Sequence, residues 1–94
     1  MLEKNIKQKI INYIIKNGGD GFSISAKLRR GVCDCLCITK NGQIFLVETK
    51  QPKEDLSKLQ EYFFLIWNNK KVNCIKGYSL QMFKEECRKA GIEI

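Results

Sequence analysis

Apolar residues recur at helical spacing at Ile6, Ile10, Tyr13 and Ile14, which predicts an amphipathic helix over residues 3–17, ended by Gly18-Gly19. Glu3 continues the same inward stripe; a carboxylate there also suits the positive end of the helix dipole. Phe22, Ile24 and Ala26 alternate and predict a strand over residues 22–27. A basic loop, 28–33, follows. Residues 34–39 and 43–50 predict two more strands joined by a hairpin at Lys40-Asn41-Gly42. Both are apolar on both faces, so both belong in the middle of a sheet covered on two sides. Ser57-Lys58-Leu59-Gln60 reads as a capping box opening a helix over 57–69, with Leu59, Tyr62, Phe63, Ile66 and Trp67 as its inward stripe. Phe64 and Leu65 fall off that stripe and leave apolar surface for a second contact, such as a homodimer. A short strand over 71–77 precedes a last helix, capped by Ser79, inward at Leu80, Phe83 and Cys87, and closed by Gly91.

The order helix-strand-strand-strand-helix-strand-helix is that of a small α/β protein, and 94 residues suffice for one domain, 1–94. No apolar run approaches the roughly 20 residues a membrane span needs, and the polar start lacks a signal-peptide core, so a cytoplasmic protein is expected. At 44% hydrophobic and 29% charged, the chain has a globular composition. Its net charge of +7 favours a polyanionic partner, DNA above all, over a merely soluble basic surface.

The chain has no histidine, which excludes Ser–His and Cys–His catalysis and His-ligated zinc. Five cysteines, an odd number, argue against a disulfide framework. Cys33, Cys35 and Cys37 would stand in a row on one strand face, a spacing unsuited to a zinc knuckle, and buried thiols are expected.

The remaining chemistry centres on Val47-Glu48-Thr49-Lys50. Glu48 and Lys50, two apart on a strand, share a face. Two carboxylates about 4 Å apart repel by roughly 4 kcal/mol at an effective dielectric near 20, so Asp34 beside Glu48 implies a cation between them or a shared proton. Whether they meet depends on the hairpin. A two-residue Asn41-Gly42 turn, slightly favoured locally, sets Asp34 opposite Thr49 and puts Asp34 and Glu48 on opposite faces, which would exclude the site. A three-residue loop sets Asp34 opposite Glu48 and uses Gly42 in its left-handed position. The chemistry predicts the three-residue loop, and a strand bulge would also repair the register. The competing reading of Glu48 and Lys50 is a surface ion pair, and of Gln60 a plain capping residue.

Asp34, Glu48-Thr49-Lys50 fourteen residues on, and Gln60 on the following helix resemble the pattern of the PD-(D/E)xK nuclease superfamily, and among its branches the VRR-NUC family. The resemblance covers nearly the whole chain, from the first helix with Glu3 through Gly31-Val32-Cys33-Asp34 and Gly42–Lys50 to Leu56–Gln60. One departure is Cys33, where the family usually has Pro. The resemblance implies a restriction-endonuclease-like fold with a mixed central sheet flanked by helices. It implies Mg²⁺ or Mn²⁺ held by Asp34, Glu48 and the Thr49 backbone carbonyl, with Glu3 as an additional acidic group. Lys50 would orient water or neutralise the phosphate, and Gln60 would hold Lys50 or the water. Lys27, Arg29 and Arg30 would line a phosphate path. The implied activity is hydrolysis of phosphodiester bonds in DNA, structure-selective on branched or flap DNA and exerted by a homodimer. A non-catalytic nucleic-acid-binding module and a sequence-specific restriction-type endonuclease are the alternatives.

Overall fold

A computed structural model describes residues 3–24 and 31–94, with side chains from Asn5 onward. Helix α1 (Glu3–Lys16) leads into β1 (Asp20–Ser23), β2 (Cys35–Ile38) and β3 (Ile44–Thr49). Helix α2 (Lys58–Asn69), strand β4 (Cys74–Gly77) and helix α3 (Leu80–Lys89) follow. The strands lie in the order β1-β2-β3-β4, with the first two pairings antiparallel and β3·β4 parallel, so the sheet is mixed as expected. The parallel pair requires a crossover, which α2 provides.

Two apolar layers cover the sheet. On one face Ile6, Ile10 and Ile14 of α1 and Phe83 and Cys87 of α3 pack against Cys35, Cys37, Phe45, Val47 and Ile75. On the other, Phe64 and Trp67 of α2 pack on Cys33, Leu46 and Cys74. The main core is therefore the α1/α3 side. All five cysteines are free and buried. Burial pushes the Cys87 thiol up to about 12.

Caps placed from the sequence are where the helices begin and end. The Ser57–Gln60 capping box is complete, Ser79 accepts from Met82 N–H, and the chain leaves α3 through Gly91. Four details differ from the sequence-based expectation. The first outer strand begins earlier, at Asp20. Buried Gly21 sits against Cys37 and Ile11, and Phe22 is exposed because α2 covers the other end of the sheet, at β4. Predicted strand residues 25–27 lie outside the described residues. The strand predicted over 71–77 starts only at Cys74. Residues 70–72 close α2 instead, through Lys70 N–H and Val72 N–H bonds to Trp67 and a left-handed Lys71.

The third difference is the face of α2. Leu59 and Tyr62, predicted inward, are exposed, whereas Phe64, predicted outward, packs on the sheet. The helix presents Gln60, Phe63, Phe64 and Trp67 inward because a buried carboxylate on β3 needs the Gln60 amide. The fourth is Cys33, which joins Leu46 and Cys74 rather than sharing a face with Cys35 and Cys37.

Gly19 has no room for a side chain: a Cβ there would stand 2.3 Å from the Ile38 carbonyl oxygen and 2.9 Å from Ile14 Cγ2. Gly19→Ala is expected to destabilise the fold by about 1–3 kcal/mol, the usual cost of overpacking. Urea unfolding measures this, and a midpoint unchanged from wild type contradicts it.

Candidate metal and phosphate site

The hairpin has the three-residue loop. Thr39 N–H bonds Gln43 O at 2.8 Å, and Gln43 N–H is held by the Thr39 hydroxyl at 3.1 Å. Gly42 takes φ +87° at the end of the loop. The pairs then run in register from Ile38–Ile44 to Cys35–Val47, and continued by one residue that register would set Asp34 across from Glu48.

Asp34 does not simply continue the ladder. Its carbonyl accepts from Ile24 N–H on the β1 side, while its own N–H donates to Val47 O on the β3 side, at 3.1 Å. In a regular strand both groups of one residue point the same way. Asp34 and Cys35 thus both stand against Val47, a one-residue bulge, which also explains why Cys33 turns to the opposite face from Cys35. The simple expectation that Asp34 would share Glu48's face is therefore corrected. The bulge turns the Asp34 carboxylate into the plane of the sheet, where Oδ1 accepts from Thr49 N–H at 3.1 Å. The Thr49 hydroxyl donates to Oδ2, and Lys7 Nζ of α1 lies 3.9 Å from the same oxygen. The carboxylate occupies the gap between the ends of β2 and β3. The Thr49 carbonyl points into that gap as well, because Lys50 N–H, the next group along, turns away to Gly77 O.

Glu48 is only 4% exposed and receives a hydrogen bond from Gln60 Nε2. Gln60 Oε1 meanwhile accepts from Ser57 N–H at 2.9 Å. Capping and site support, offered as alternatives for Gln60, are one arrangement: the cap fixes the amide so that its free end meets Glu48. The amide engages Glu48 rather than Lys50. Both carboxylates lie near Cys33, whose thiol is held far above its ordinary range by its hydrogen bond with Cys74, by burial, and by the negative fields of Cys74, Glu48 and Asp34. Lys50 is half-buried just past β3, two residues from Glu48, with no carboxylate in ion-pair range among the described residues. An ordinary Glu48–Lys50 surface ion pair is thus absent.

The sequence did not single out Lys7. Its signal is the four-residue spacing from Glu3, which sets both at one side of α1. The Glu3 side chain and Lys27, Arg29 and Arg30 lie outside the described residues.

The donors that would hold a cation are all oxygens: two carboxylates and the Thr49 carbonyl. Among the described residues no cluster of three or more His, Cys, Asp or Glu could hold a metal. A pair of carboxylates nevertheless fits Mg²⁺, which keeps several waters and takes further oxygens from a phosphate.

Gln60→Ala removes the acceptor for Ser57 N–H and the Glu48 donor together, while the backbone N–H of residue 60 stays on Ser57 Oγ. The expected loss is about 1–3 kcal/mol from the buried Glu48 carboxylate losing one donor, added to a smaller loss from the cap. Comparison with Ser57→Ala, which loses only the cap, separates the two in thermal unfolding. Equal losses contradict the role assigned to Gln60.

The mixed four-stranded sheet with helices on both faces is a restriction-endonuclease-like fold. A solved structure described as a VRR_NUC domain is similar to this chain with a TM-score of 0.79, over 88% of this chain and 90% of that one, at 20% sequence identity. At that identity the likeness is one of fold. No family model and no curated protein matches the sequence. Among the described residues no helix is long and apolar enough to cross a membrane.

Proposed function

We propose that this protein is a nuclease of VRR-NUC type that hydrolyses phosphodiester bonds in DNA with Mg²⁺ or Mn²⁺. The observation that supports the reading is the buried Glu48 held by Gln60, with the Asp34 carboxylate turned by the bulge onto the adjacent Thr49. Asp34, Glu48 and the Thr49 carbonyl would hold the cation, with Glu3 as a further acidic group. The bound cation would lower the pKa of a coordinated water and offset charge growing on the phosphoryl oxygens. Lys50, on Glu48's side of the strand, orients the attacking water or neutralises the phosphate. Water oxygen bonds to phosphorus, one bridging P–O bond breaks, and the departing oxygen takes a proton. Lys27, Arg29 and Arg30 would lead the phosphate backbone to this point.

The substrate reading is structure-selective cleavage of branched, flap or four-way-junction DNA. A homodimer would present two sites to two strands. Its contact is the α2 face bearing Tyr62 and Leu65, 56% and 64% exposed; Phe64 no longer contributes, since it packs on the sheet. Sedimentation of wild type against Leu65→Arg checks this.

Linear duplex, flap and four-way-junction DNA incubated with the protein, with and without Mn²⁺, test the activity. Metal-dependent cleavage favouring flap or junction is expected. Cuts at one fixed sequence in linear duplex would make it a restriction-type enzyme. Binding with no cleavage under either condition would make it a non-catalytic module on a nuclease fold.

A further inference from the structure

Away from the paired carboxylates, the furrow between α1 and α3 holds two cavities of about 330 and 400 Å³ that share Tyr13 as a wall. Lys9, Tyr13 and Lys16 follow one another at i, i+4 and i+7 on α1; Lys84 and Arg88 are i and i+4 on α3. All four cations line these cavities, and among the described residues Glu93 is the acidic side chain that does. Lys84 Nζ sits 4.5 Å over the Tyr13 ring, which fixes it across the furrow. Glu86 of α3 pairs with Lys89, at 3.7 Å, and is not among the residues lining the cavities. Helix C-termini favour Lys16 and Arg88 on their own account, but not Lys9 or Lys84, which lie mid-helix. Lys9 and Lys16 are about 10 Å apart along α1 and turned about 180° from Lys7, the α1 residue beside Asp34. The furrow therefore faces away from the candidate site.

We propose that the α1–α3 furrow binds the phosphate backbone of DNA, as a second surface separate from Asp34 and Glu48. Four cations held in one furrow repel one another, and a polyanion laid along it relieves that repulsion and releases its own counterions. Tyr13 offers a ring against a sugar or base. The partner's identity rests on the nuclease reading; the surface itself does not. A strand held here while another part of the same DNA reaches Glu48 must pass around α1, which a branched or bent substrate does most readily.

The test is binding without catalysis. Fluorescence anisotropy of labelled 20-base-pair duplex and four-way-junction DNA in EDTA is measured for wild type, Lys16→Glu/Arg88→Glu, and Lys70→Glu/Lys71→Glu. The last pair makes the same change of net charge at the exposed end of α2. The furrow variant is expected to lose on the order of 10-fold or more in affinity at 50 mM salt and to lower the log–log salt slope by about 2. The α2 variant should lose at least several-fold less. Equal losses in the two variants overturn the proposal, as does wild type that fails to bind DNA. Preferential, furrow-dependent binding to phosphatidylserine vesicles would also overturn the assignment to DNA. Failure of the nuclease reading shows as no cleavage by wild type under any metal while the binding comparison in EDTA still holds, so the two failures are distinguishable.

Discussion

Asp34→Asn and Glu48→Gln are each expected to lower metal-dependent DNA cleavage by on the order of 10²–10³-fold or more, the range lost with one transition-state-stabilising group. The conservative amides matter here. Asp34→Ala leaves the Thr49 N–H and hydroxyl without their acceptor, and Glu48→Ala strands the Gln60 amide, so each costs stability as well as chemistry. The amide side chains keep the shape and one acceptor oxygen while removing the charge; at Asp34 that oxygen can stay on Thr49 N–H, and the Thr49 hydroxyl can turn to accept from the new NH2. Unfolding midpoints of the two amide variants should stay within a few degrees of wild type. A second readout avoids activity altogether. A cation that binds the native pair and not the unfolded chain raises the midpoint by mass action, about 2.7 kcal/mol of stabilisation at 100 times its Kd. Mn²⁺ should therefore raise the melting temperature of wild type and of neither variant. Undiminished cleavage in both variants would refute the assignment of the pair.

The second large effect concerns the core. Phe83→Ala should cost about 3–5 kcal/mol, the usual result of deleting a fully buried ring. Phe83 has no exposed surface and stacks on Phe45 with ring centroids 6.0 Å apart, beneath Ile6 and Ile10. With Cys87, it places the last helix in the same buried cluster as α1 and the central strand. Against a total stability of about 5–15 kcal/mol for a domain, that loss leaves little margin. Chemical denaturation measures it, with Gln81→Ala on the exposed face of α3 as the control expected to stay within about 0.5 kcal/mol. A loss under 1 kcal/mol for Phe83→Ala would mean that α3 is not part of the cooperative unit.

Local information in the chain determined the elements and their order. Periodicity marks α1 and α3, paired Ser caps start α2 and α3, and the doubly apolar Val47 strand could only be central. The candidate carboxylates were legible too, because Glu-x-Lys on such a strand has few structural uses and the chain has no histidine to offer instead. The loop length was legible only through the chemistry. Asn41-Gly42 by itself leans to a two-residue turn, and what holds the longer one is the Thr39 hydroxyl on Gln43 N–H.

Tertiary structure alone decided three things. The bulge at Asp34 arises because its N–H and C=O are claimed by strands on opposite sides, Val47 and Ile24, which no local preference encodes. That bulge aims the carboxylate at Thr49 and sends Cys33 to the other face. The inward face of α2 was undetermined by periodicity, since the helix is apolar around more than half its girth. It was fixed by Glu48, 4% exposed, needing the Gln60 amide. The approach of Lys7 to Asp34 follows from how α1 lies on the sheet. Spacing along the chain sets which residues are neighbours on one element. Where buried polar groups find their partners is set across elements, and here those partners turned the last side chains of the site into place.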